Sequence, residues 1–175
     1  MTREDLQEIF EYLSDSRSRF LESFRKLGWA EFARDRGGSW GSMLLIFLHM
    51  LDDEEGWLQC AARGRSMREA PDRKPVAYAG FDDLLADNAS VGAATRAYLA
   101  QLSEEDLHRE VEISHGSGSD RRTVERIIRH AFIDELAHLG ELVGFLWQVQ
   151  VEPPFIDWLD YRQAHTCSRS PTPDP

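Results

Sequence analysis

The chain has 175 residues, 42% hydrophobic and 29% charged, with a formal net charge of −11, which suits one soluble domain around one good-sized core. So acidic a surface repels phosphate backbones and anionic lipid heads, so binding to nucleic acid or membrane is not expected. The N-terminus lacks the apolar core of a secretion signal, the longest apolar run (Met43 to Leu48) falls far short of the ~20 residues that span a bilayer, and Cys60 and Cys167 are too far apart to suggest a disulfide framework; the expected location is cytoplasmic.

Four long helical patterns follow one another. The first runs from Arg3 to Leu27 behind the N-cap Thr2, with Leu6, Ile9, Phe10, Leu13, Phe20, Phe24 and Leu27 at helical spacing and Gly28 as its stop. The second runs from Trp40 to Ala62 behind Ser39. Its first half is apolar nearly all round and so buried, and its second half carries Asp52, Asp53, Glu54 and Glu55, read as a solvated acidic face; Gly64 ends it. Gly64 to Gly80 forms a long crossover connection. The third helix covers Phe81 to Leu102, and Ser103 caps a short helical turn. Glu110 to Ser114 alternates like an extended piece, and His115 to Asp120 reads as a loop. The fourth helix begins at Thr123 and reaches Val149, before Pro153-Pro154. Phe155 to Tyr161 reads as a terminal amphipathic turn covering the bundle. The expected fold is all-α, a four-helix bundle with long crossover connections. It occupies residues 1–165 as a single domain, with 166–175 as a mobile tail.

The residues that stand out chemically are His49, Asp134 and His138. Asp134 and His138, four apart, share a face of the fourth helix in line with its apolar stripe of Val124, Ile127, Ile128, Ala131, Leu142 and Phe145. His49 lies in the apolar half of the second helix. An unpartnered carboxylate on a buried face costs several kcal/mol, so Asp134 needs a cation, a hydrogen-bonded histidine or a metal. If the two helices pack, two imidazoles and a carboxylate converge on a divalent ion with open positions. Spacing alone leaves other readings standing: a core histidine at 49, and an ordinary Asp–His ion pair at 134 and 138. His130, one turn before Asp134, is either a ligand, a neighbour that positions one, or a surface or core histidine. Asp53, one turn after His49, either orients that imidazole or belongs to the acidic face. Glu135 and Glu141 read as surface residues, His108 and His115 as plain surface residues near loops. Trp40, Trp57 and Trp147 either line a pocket or fill the core.

Four segments in order resemble the DinB/YfiT-like superfamily. Ser39 to His49, continuing to Glu54 and Trp57, is similar to that family's second helix. Leu99 to Leu107 resembles the end of its third, and Asp134-Glu135-Leu136-Ala137-His138-Leu139-Gly140-Glu141 resembles its fourth-helix signature His-Glu-x-x-His-Arg-Gly-Gln. Pro153 to Leu159 is similar to its closing segment. The resemblance implies a four-helix bundle with a divalent metal at one end, often as a homodimer, with three histidine ligands. His49 and His138 match two of them. Asp134 stands where the family has the third, and a carboxylate there still accepts Zn, Ni, Mn or Fe.

The activity that this resemblance implies is that of a metal-dependent thiol transferase or isomerase, with a small-molecule thiol or electrophile as its partner. In that reading a metal held by His49, Asp134 and His138 favours thiolate at neutral pH. The alternatives are a metal-dependent hydrolase and a non-enzymatic stress-related bundle that has lost catalysis.

Overall fold

The computed structural model describes residues 1–37, 40–115, 118–159 and 161. Helix α1 (Arg3–Leu27) starts where Thr2 and Asp5 exchange hydrogen bonds, each side chain accepting from the other's backbone N–H. It ends at Gly28, whose φ of 86° suits a residue without a Cβ. A single turn, α2 (Trp29–Phe32), follows. Helix α3 (Met43–Glu54) begins under the Ser42 side chain, which accepts from the Leu45 N–H. The expected cap, Ser39, lies outside the described residues, and Trp40 stands before the helix instead of opening it. Without a break α3 runs on as a π-turn over Glu55–Cys60 and a 3-10 turn over Ala61–Arg63. Gly64, left-handed at φ 75°, closes it as expected.

Helices α4 (Phe81–Gln101), α5 (Glu104–His108) and α6 (Val124–Gln148) follow their sequence patterns closely. α1, α4, α3 and α6 pack in that cyclic order, around a core in which Phe10, Phe20, Phe24, Phe32 and Phe47 are fully buried. Each such ring contributes about 1.5–3 kcal/mol by leaving water. The mostly helical bundle expected from the four stripes is therefore the observed fold. At the C-terminal end Trp158 and Tyr161 set their rings edge-on to Tyr12 of α1. Cys60 is a buried free thiol; Cys167 and the expected mobile tail lie outside the described residues. No helix among those residues is long and apolar enough to cross a membrane.

One element was not expected. The segment read as a loop from His115 holds a second strand: β1 (Glu110–His115) and β2 (Gly118–Thr123) form an antiparallel hairpin pairing Glu110 with Thr123 and Ile113 with Asp120. β2 is Gly-Ser-Asp-Arg-Arg-Thr, without one apolar side chain. Its pairing comes from backbone hydrogen bonds to β1 and not from a buried face, so no alternation marks it.

The acidic run Asp52 to Glu55 does not form a solvated face. Successive residues on a helix are ~100° apart, so four in a row point in four directions. Asp52 and Glu55 grip Arg73, whose guanidinium lies 2.8 Å from each and 2.7 Å from Asp87 of α4. That ion cluster ties the long connection to the bundle. Asp53 faces α6. Glu54 turns into the core, where it is 3% exposed, and meets Arg17 of α1. Glu135, expected at the surface, is 5% exposed and meets the same guanidinium, itself 1% exposed. The separations are 2.5 Å from Arg17 Nη2 to Glu54 Oε2 and 2.9 Å from Arg17 Nε to Glu135 Oε1. Several of these polar atoms lack a well-aligned hydrogen bond despite the short separations.

Burial pushes the Glu135 carboxyl up to about 7; Arg17 opposes that rise and the charge on Glu54 adds to it. A proton on Glu135 leaves one guanidinium balancing one carboxylate, which removes the net charge from the core.

Replacing Arg17 with Met strands two carboxyls in the core and should lower the free energy of unfolding in urea by about 3–5 kcal/mol. Glu135→Gln, which mimics the protonated acid, should cost far less. Equal losses in the two variants would contradict the cluster as described.

Candidate metal centre

α3 and α6 run antiparallel, and residues four apart on each make a ladder of contacts. The His49 and His138 rings meet at 4.8 Å between centroids, nearly perpendicular. One turn along, the Asp53 carboxyl is hydrogen-bonded to Asp134. One turn further, Trp57 and His130 meet edge to face at 4.7 Å. The periodicity that put Asp134 in line with His138 also puts Asp53 in line with His49, and packing turns the two lines toward each other.

The donor atoms of His49, Asp134 and His138 all lie within 4.8 Å of one another. His138 Nε2 lies 3.4 Å from Asp134 Oδ2, and His49 Nε2 lies 3.4 Å from Asp53 Oδ2. Both imidazoles thus aim Nε2 at the carboxylates. His138 is buried, while His49, Asp53 and Asp134 are partly open to solvent. Burial, with His138 next in effect, holds the His49 imidazole below its ordinary pKa, so it is neutral at pH 7 and its lone pair is free.

Two residues set the rings. Trp40 stacks on His49 at 3.9 Å and 23° and stands edge-on to His138 at 5.7 Å. Glu141 accepts from His138 Nδ1–H at 2.8 Å, which turns Nε2 toward the site. Glu141, read as a surface residue, is indeed exposed, and Trp40 was read as lining a pocket or filling the core; the contacts of both with the two histidines were not foreseen. The spacing of three from His138 to Glu141 was a readable signal. The stacking of Trp40 on His49 was not readable, because that contact depends on the path of the chain before α3.

His130 is not part of the cluster; it is exposed and faces Trp57. Asp53, read either as orienting His49 or as part of the acidic face, lies against the His49 imidazole beside the cluster. Burial first, and then the hydrogen bond and charge of Asp134, push its carboxyl up to about 7. Two carboxylates held this close need a shared proton or a cation between them, and the two imidazoles beside them complete a donor set that suits a divalent ion.

The family model described as the DinB family matches residues 1–172. Among solved structures, the crystal structure of a DinB-like protein (YjoA) from Bacillus subtilis superposes with a TM-score of 0.65 at 18% identity, covering 85% of this chain and 97% of that one. At that identity the likeness speaks for the fold. No curated protein matches the chain.

The raised Asp53 carboxyl sets a pH dependence in chelator-treated protein. Its folded pKa of about 7 exceeds the ordinary 3.8, so between those values the folded state holds the extra proton. Stability should therefore fall as pH rises through this window and be lowest above about 7. Asp53→Asn should flatten that fall and raise the melting temperature at pH 8; a variant melting below wild type at pH 8 would contradict the carboxyl pair.

Proposed function

This chain belongs to the DinB family, and from that premise we propose that it binds one divalent metal ion through His49, Asp134 and His138 and uses it in thiol-dependent transfer or isomerisation of a small electrophile. The observation that carries the reading is the convergence of two imidazole nitrogens and a carboxylate oxygen within 4.8 Å. Donors bound at ~2.0–2.2 Å to one ion sit roughly 3–4 Å apart, so small side-chain movements suffice. Zn, Ni, Mn and Fe all accept this set.

Such an ion would lower the proton affinity of a thiol or water in its open positions and fix it beside the electrophile. The rest is the work of the chain's own groups. Glu141 keeps the proton of His138 on Nδ1, and Trp40 fixes the His49 ring plane and shields it from water on that side. Asp53 stands one turn from His49 and is placed to take the proton that the entering nucleophile releases. The same arrangement suits water in place of thiol, so metal-assisted hydrolysis is the second reading.

A second copy of the chain is the proposed protein partner. α6 exposes Ile133, Leu136 and Trp147 on a face distinct from the ladder. On that face the Cβ positions of Gly140 and Gly144 meet nothing within 4 Å, which gives another helix room for close approach. Sedimentation velocity should show a dimer that Trp147→Glu dissociates; a wild-type chain that stays monomeric at about 100 μM would contradict this.

Elemental analysis after purification without chelator should find about one divalent ion per chain. His49→Ala, Asp134→Ala and His138→Ala should each lose it at least tenfold in affinity, and Asp134→His should bind more tightly. Wild-type affinity in all three alanine variants would refute the ligand set. Turnover of 1-chloro-2,4-dinitrobenzene that needs both metal and a small thiol supports the transferase reading. Metal-dependent ester hydrolysis without thiol supports the second, and metal binding with neither activity favours a non-catalytic bundle.

A further inference from the structure

One turn beyond Asp53 and Asp134, at the Trp57–His130 contact, lies a cavity of about 260 Å³ lined by Trp57, Ile113, Arg122, Arg126, Ile127 and His130. Its walls are of two kinds. Trp57, Ile113 and Ile127 offer an apolar, partly aromatic surface contributed by the π-turn, β1 and α6. Arg122, Arg126 and His130 supply nitrogen donors. Arg122 is paired with Asp120. Glu125, next to Arg126, is taken up by the Met1 amino group and Arg129. Arg126 has no ion pair or side-chain acceptor among the described residues. In a chain of net charge −11, an unpaired guanidinium at the mouth of an apolar cavity favours one kind of guest: a flat apolar body carrying an anion.

We propose that this cavity is a binding site for a small aryl carboxylate, the ring lying against Trp57 between the two isoleucines and the carboxylate meeting Arg126. Resting on the metal-centre reading, the inference names the substrate class. Arg126 lies two turns from Asp134 and three from His138, roughly 12 and 18 Å along the axis at ~1.5 Å per residue, with His130 between them. The ring of a molecule anchored by its acid on Arg126, and any chain beyond that ring, therefore extends from the cavity toward the metal ligands. Binding energy gathered at the non-reacting end then orients the reacting end. The π-turn takes part in this geometry: it carries Trp57, and its Gly56 lets Met67 approach to 3.1 Å of where a Cβ would stand, which packs the following segment against the turn.

The test uses the full chain, chelator-treated, titrated with trans-cinnamate and with its neutral amide, cinnamamide. Binding is followed by calorimetry and by the Trp57 indole N–H resonance, assigned by its loss in Trp57→Phe. The acid should bind one to one, shift that resonance, and bind at least about tenfold more tightly than the amide, the order expected for one charge-assisted hydrogen bond. Arg126→Gln, a change at an exposed position, should abolish the preference for the acid while leaving the affinity for the amide unchanged. His138→Ala should leave cinnamate affinity within about twofold. Equal binding of acid and amide, a preference that survives Arg126→Gln, or shifts that avoid Trp57 would each overturn the proposal. Failure here with metal binding intact refutes the cavity assignment alone. Cinnamate selectivity in a protein that binds no metal refutes the metal centre and leaves the cavity as a binding site.

Discussion

Arg17 is the constraint on which the arrangement of α3 and α6 depends. A guanidinium and two carboxyls shut away from water are tolerable only in contact with one another, so Glu54 and Glu135 must lie at one level of the bundle, opposite the middle of α1. That requirement fixes the sliding register of two helices whose other core contacts are apolar and less directional. The register in turn decides which side chains face one another on the outer side of the α3–α6 pair.

The neighbouring residues show what the register accomplishes. Glu54 follows Asp53, and Glu135 follows Asp134. On each helix one acid of the pair enters the core, where Arg17 compensates it, and the other enters the groove, where its counterpart and two imidazoles surround it. The ladder from His49 and His138 through the two aspartates to Trp57 and His130 is thus backed by an ion cluster one residue away. Preorganisation of this kind matters for a metal site, since donors already held near bonding distance lose little conformational freedom when an ion arrives.

Much of this was legible in the sequence. Helical spacing located α1, α4 and α6 almost to the residue, because their apolar stripes are long, and α1 and α6 also begin at Thr2 and Thr123, side chains of the kind that favour cap positions. The three residues His49, Asp134 and His138 could be singled out because each is polar in an apolar context. The misreadings of Glu54 and Glu135 share one cause, the treatment of charge as a sign of solvent. Glu135 sits four residues after Ala131 and four before Leu139, both buried; Arg17 sits four after Leu13 and three before Phe20, at a core position. Three charged residues of opposite sign at core positions on three helices were a readable pattern. β2 and the contact of Trp40 with His49 were not, because one rests on backbone pairing and the other on the course of a loop.

The central claim is geometric and chemical together: His49, Asp134 and His138 hold a common divalent ion. Anomalous diffraction from a crystal grown with zinc, collected above and below the zinc absorption edge, tests it most directly. A single strong peak about 2.0–2.2 Å from His49 Nε2, His138 Nε2 and an Asp134 carboxylate oxygen is the result expected. A map with no peak between α3 and α6, or with zinc bound only elsewhere, would contradict it.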